Sequence, residues 1–247
     1  SLYGVLTSMF SFQWPIRRPW TGFCLTGAAV LAGLLFWASI PKFDQQLLAW
    51  VCLLPCFLVL PLVPPRHLAF TGLVFGVVAA TGRTYWITET LQLYGNLVLV
   101  QALATNILLI VYLALYPAVF FWLCAHWRFN SPLFPWLAAS TWILLEWAQT
   151  WVITGFPWYL LGYSQYLNTP VMQLASVTGV YGISFLIVLI NASLAQLAFY
   201  RRPLVHLPLP LLGLLVAVIF GYSRLTLITN APTGKKLTVG ILQGNIG

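Results

Sequence analysis

Glu146 stands inside an apolar run, the one acid of the chain so placed. An ionised carboxylate surrounded by lipid is expensive, so such a residue has a partner, a function, or both. Arg83 is the natural partner, because it lies at a similar depth near the corresponding end of another apolar run. The two are expected to pair, directly or through a water. Two readings of Glu146 stand level: a structural pair that fixes helix packing, and a carboxylate with a role in function. Other residues able to do chemistry do not converge. His67, His126 and His206 sit at run ends away from the acids, and Ser164 has no His–Asp partners. Cys24, Cys52, Cys56 and Cys124 lie in or beside apolar segments. Cys52 and Cys56 share a helix face, yet no His or second Cys pair completes a zinc pattern. They read as small apolar helix residues. No phosphate-binding or dinucleotide-binding glycine pattern is present. No complete catalytic set, metal site or cofactor is therefore expected in these 247 residues.

The elements that position Glu146 and Arg83 must be membrane helices. Charged residues make up 6% of the chain and hydrophobic ones 61%, too few polar side chains to coat a water-facing surface. Runs of roughly 20 apolar residues are needed to span a bilayer. Seven candidates occur, at 22–40, 47–63, 68–88, 97–125, 133–152, 178–200 and 204–222. The net charge of +8 does not point to nucleic acid, because the bases are scattered and form no stripe. Gln101, Asn106, Asn191 and Gln196 are polar positions within spans and read as interhelical hydrogen-bonding residues. Glu89, at a run end, reads as an interfacial acid. The segment 3–14 is apolar and aromatic but too short to span, and is expected to lie along the interface.

Taking alternate sides, Arg17, Arg18, Arg66, Arg128, Arg201 and Arg202 fall on one face of the membrane. That face is cytoplasmic by the positive-inside rule. Seven crossings then leave the C-terminus outside the cytoplasm. Two outer segments result, 88–96 and 154–177. The second has no charged residue and many aromatics, so it is expected to re-enter or lie on the outer leaflet, packed on protein. Past a turn-rich break at 230–234, residues 235–246 read as a β-strand. One strand is no domain; it is expected to open an α/β domain that these residues do not contain.

Residues 142–165 read WILLEWAQTWVITGFPWYLLGYSQ. They resemble the hallmark of the apolipoprotein N-acyltransferase family: a Glu, a Trp shortly after, then TGFPW and GYSQ. Here these are Glu146, Trp151, Thr154 to Trp158 and Gly162 to Gln165. Gln173 to Ala175, Gly179 to Phe185 with Asn191, and Trp86 are similar to the family as well, and the strand resembles its entry into a nitrilase-like domain.

The resemblance implies an all-α integral membrane domain of about seven helices over residues 1–225. A linker and the first strand of an extracytoplasmic nitrilase-like domain follow over 226–247. It implies an acyltransferase that moves an acyl chain from phospholipid to the α-amino group of a diacylglyceryl-Cys apolipoprotein. The chemistry is ping-pong through a Cys thioester, with a Glu base and a Lys at the oxyanion. Those three residues would lie beyond residue 247, so this chain alone is expected to be inactive. Its partners would be lipid, the apolipoprotein, and the nitrilase-like domain in cis or in trans, at the bacterial inner membrane. Trp151, Phe156, Trp158, Tyr163 and Gln165 would line or support the outer-leaflet entrance. The family usually has an Arg three residues after its Glu. Gln149 stands there, which makes Arg83 a candidate replacement. Two other readings differ in class: a membrane scaffold that recruits a separate enzyme, and a transporter. The transporter predicts an internal repeat and paired broken helices, and the sequence shows no such repeat.

Overall fold

The computed structural model describes residues 21–158, 160–200, 207–230 and positions 239, 240 and 243. All regular structure among them is helical. Helix α1 is Thr21–Ser39. A broken segment follows: a 3-10 turn at Gln46–Val51, the short helix α2 at Leu54–Val59, and a second 3-10 turn at Leu60–Leu62. Then come α3 (Pro65–Leu93), α4 (Leu99–Cys124) and α5 (Phe134–Gln149). Two 3-10 turns, Val152–Thr154 and Leu161–Gln165, lead to a single turn α6 (Thr169–Met172). Helices α7 (Ala175–Tyr200) and α8 (Pro208–Thr229) complete the set.

Five of these helices, α1, α3, α4, α7 and α8, are long and apolar enough to cross a membrane, which makes the chain a multi-pass membrane protein. The seven expected spans thus reduce to five full-length helices and two shorter ones. The run 47–63 breaks because Pro55 and Pro61 open the second and third of its pieces; a proline removes a helical donor and clashes with the turn before it. The run 133–152 stops after 16 residues, about 24 Å of rise against a hydrocarbon core of about 30 Å. Its end is set by the turn that follows Gln149. The interfacial segment 3–14, and Arg17, Arg18, Arg201, Arg202 and His206, lie outside the described residues. So does the strand at 235–246, except that Val239, Gly240 and Gln243 have no regular structure.

Apolar side chains gain little by leaving lipid for another helix, so close packing and hydrogen bonds must hold the bundle. Both are visible. Gly72 and Gly76 of α3 let α4 approach so near that an added Cβ would lie 2.2 Å from the Pro117 carbonyl oxygen and 2.6 Å from the Ala114 Cα. Phe57 sits edge-on to Phe120, Phe121 and Phe134, at centroid distances of 6.0, 5.8 and 6.0 Å. The broken segment is stitched by Asn191 of α7. Its Oδ1 accepts the Leu53 and Leu54 N–H groups at 2.9 and 3.0 Å, the free donors that open α2. Its Nδ2 donates to the Ala49 carbonyl at 3.1 Å, on the other side of the break. One buried amide therefore caps both pieces. Gln196 does similar work at the far end of α7, donating to the Phe129 and Ser131 carbonyls. Asn106 donates from α4 to the Thr84 carbonyl and the Thr88 hydroxyl.

Contacts sort the element ends into two sets. The end of α1, the start of the broken segment, the α3 stretch around Tyr85 and Trp86, and the segment 150–174 meet at one end of the bundle. The turn 125–133 and the end of α7 meet at the other.

Candidate functional site

The segment between α5 and α7 is a packed structure, and two side chains of α5 set its shape. Glu146 and Gln149 stand one turn apart and are both buried. Glu146 Oε1 accepts the Trp142 indole N–H at 2.8 Å and the Leu161 backbone N–H at 2.7 Å. The Gln149 side chain donates to the Phe156 carbonyl at 2.8 Å, and the Phe156 N–H returns to the Gln149 carbonyl at 2.8 Å. The loop is thus fastened at 156 and again at 161. Ser184 of α7 holds the next peptide, accepting the Gly162 N–H at 2.8 Å.

Between those fastenings and α5 the chain turns through Gly155, whose φ is 77°. An added Cβ there would lie 2.1 Å from the Thr150 carbonyl oxygen. Glycine is required on both counts. Replacing it, Gly155→Ala, is expected to cost about 1–3 kcal/mol. The strain is local, so hydrogen exchange should show it as faster exchange of the Phe156 amide with the helices unchanged. Unaltered exchange at Phe156 would show that the turn does not depend on Gly155.

The turn presents aromatic rings. Phe156 stacks on Trp158 at 6.0 Å, and Trp158 stacks on Trp86 of α3 at 5.2 Å with 17° between planes. Beside them lies an open groove of about 430 Å³ lined by Pro41, Pro157, Trp158, Tyr163 and Tyr166. The Tyr166 hydroxyl donates to Asp44 Oδ1 at 2.6 Å. That bond to a carboxylate raises the phenol's pKa above its ordinary value, so Tyr166 keeps its proton at neutral pH. The Lys42 ammonium lies 4.8 Å from the centre of the Tyr85 ring, a cation–π contact.

The expected site residues separate into four sets. Trp158 and Tyr163 line the groove, and Phe156 backs Trp158. Gln165 does not reach the groove surface: it is fully buried. Its Oε1 accepts the Trp50 indole N–H at 3.1 Å and the Asn168 amide at 3.2 Å, and its Nε2 donates to the Gln46 carbonyl at 2.9 Å. It ties the groove's base to the broken segment. Trp151 lies apart, 70% exposed, with Trp147 as its ring neighbour at 6.4 Å. Arg83 and Glu146 line one small chamber with Tyr116 and Gln149. Cys52, Cys56 and Cys124 are buried and Cys24 is exposed. Among the described residues, no three His, Cys, Asp or Glu side chains gather as metal ligands would. The Asp44–Tyr166 bond and the Trp50–Gln165 bond had no signal in the sequence, because their partners are 122 and 115 positions apart.

Comparison with known proteins places this architecture. The family model described as the apolipoprotein N-acyltransferase N-terminal domain matches residues 32–193. A Geobacter metallireducens protein named apolipoprotein N-acyltransferase is 38% identical over 226 residues, covering 88% of this chain and 43% of the relative. Relatives of the same name from Shewanella oneidensis and Azotobacter vinelandii are 38% and 34% identical. They are covered over 35% and 45% of their own length, and cover 74% and 95% of this chain. The chain thus spans less than half the length of these curated relatives.

Proposed function

The chain belongs to the apolipoprotein N-acyltransferase family, and from that premise we propose that it is the membrane part of such an enzyme, anchoring it and admitting its lipid substrate. The reaction moves an acyl chain from a phospholipid to the N-terminal amine of a diacylglyceryl-Cys lipoprotein. The Cys, Glu and Lys that carry it out would belong to a nitrilase-like domain, joined to this chain or acting in trans. The two short elements, Gln46–Leu62 and α5, complete seven crossings. Arg66 and Arg128 then mark the cytoplasmic side of the inner membrane, and the aromatic groove and the C-terminus face outward.

The observation that carries this reading is the groove itself. Aromatic rings and prolines form an apolar trough at one end of a membrane bundle, held by hydrogen bonds from α5, α7 and the broken segment. A rigid apolar trough at the water–lipid boundary fits an acyl chain partly withdrawn from the bilayer. Trp151, exposed beside Trp147, serves as an interfacial anchor.

A phospholipid carrying a diazirine in its acyl chain tests the groove. Photolabelling of the purified chain in micelles is expected at Trp158, Tyr163 and Tyr166, and unlabelled phospholipid should compete for it. Trp158→Ala removes apolar contact worth about 1.5–3 kcal/mol, so the competing concentration should rise about 10–100-fold. Labelling spread equally over the groove and the lipid-facing side of α8, and indifferent to Trp158→Ala, would contradict the assignment.

A further inference from the structure

We propose that the chamber between α3, α4 and α5 binds a water molecule bridging the Arg83 guanidinium to Glu146 Oε2, and that Arg83 thereby positions the loop that carries the aromatic groove. The chamber has a volume of about 30 Å³, enough for one water. Glu146 is 6% exposed. Its Oε1 already holds the Trp142 and Leu161 donors. Its Oε2 is buried without a hydrogen-bond partner among the described residues. A carboxylate oxygen left dry is strongly disfavoured, and a chamber of this size in which Arg83, Tyr116, Glu146 and Gln149 converge among apolar walls offers a water the polar partners it needs.

The other walls suit such a water. Arg83 is held in place by its Nε–H bond to the Ala79 carbonyl at 3.1 Å and by the Phe36 ring, whose centre lies 5.0 Å from the guanidinium carbon. Gln149 and the Tyr116 phenol line the same space. Tyr116 and Tyr112 share a 2.7 Å hydrogen bond, and Tyr112 also reaches the Val152 carbonyl at 2.7 Å. The phenol pair therefore links α4 to the start of the loop beside the chamber. The path from Arg83 to the groove is short: guanidinium, water, Glu146 carboxylate, Leu161 N–H, and then the turn bearing Tyr163. Arg83 is a positioning residue on this path, and it touches no substrate.

The inference needs only the fold and stands apart from the acyltransferase reading. X-ray radiolysis, which generates hydroxyl radicals from bound water in place, tests it on the purified chain in nanodiscs. Trp142 and Tyr116 are expected to be oxidised several times faster than the buried Phe121 and Phe134, after correction for side-chain reactivity. Arg83→Met should remove most of that excess and speed exchange of the Leu161 amide. Arg83→Lys, which keeps a donor cation, should retain both properties. Wild-type labelling no greater than that of the dry phenylalanine cluster overturns the proposal without recourse to any variant. So does an Arg83→Met protein in which labelling and Leu161 exchange are unchanged.

Discussion

Glu146→Leu is expected to destabilise the bundle by about 3–5 kcal/mol, the cost of breaking a buried charged arrangement from one side. The leucine leaves the Leu161 N–H and the Trp142 indole N–H without their acceptor, and sets an apolar side chain against the chamber that Arg83 also lines. Each loss acts on a group that bulk water does not reach. Glu146→Gln is expected to cost less, because an amide oxygen can still accept both donors. The combined change Arg83→Met with Glu146→Leu should cost less than the sum of the single changes, since no single charge is then left in the chamber. Reversible unfolding in mixed micelles measures all three. A loss below about 1 kcal/mol for Glu146→Leu would mean that these bonds do not hold the loop.

Asn191→Leu is the second large effect, with an expected loss of about 3 kcal/mol or more, at about 1–3 kcal/mol for each buried group left unsatisfied. Two N–H groups lose their acceptor at the break between the 3-10 turn and α2, and the Ala49 carbonyl loses one of its two donors, keeping the Cys52 N–H at 3.4 Å. Prolines prevent the segment from closing the gap by becoming one continuous helix. The weakness should therefore be confined at first to residues 46–62. Hydrogen exchange at Leu53 and Leu54 is expected to accelerate well before α3 and α4 open. Uniform acceleration across the bundle would show that Asn191 supports global packing and not this break.

The membrane class of the fold was legible because charge is so scarce that each charged residue marks an end or an exception. Glu146 and Arg83 could be singled out for that reason, as charges at matching depth within apolar runs, and both line one chamber. Segment lengths were less legible. The run 47–63 is as apolar as a spanning helix, and hydropathy does not register that Pro55 and Pro61 break it or that a distant amide repairs the break. The end of α5 depends on backbone geometry at Gly155 and on the side chain of Gln149, which apolarity does not record. The aromatic residues of the groove were visible as a type, but their sorting was not. Gln165 is buried as a crosslink because its position follows from distant partners, Trp50 and Gln46, while Trp151 lies apart with the local ring of Trp147 as its neighbour. Asp44 and Tyr166 were invisible as a pair, since nothing local connects them.

We propose that this chain is the lipid-admitting half of an N-acyltransferase. That role is tested most directly by joining residues 1–247 to the C-terminal remainder of the Geobacter metallireducens relative. The fusion would be expressed in bacteria depleted of their own enzyme, and lipoprotein N-termini examined by mass spectrometry. N-acylated lipoproteins are expected from the fusion, none from either half alone, and a marked loss on Trp158→Ala. Acylation by the remainder without this chain, or by this chain without the remainder, would contradict it.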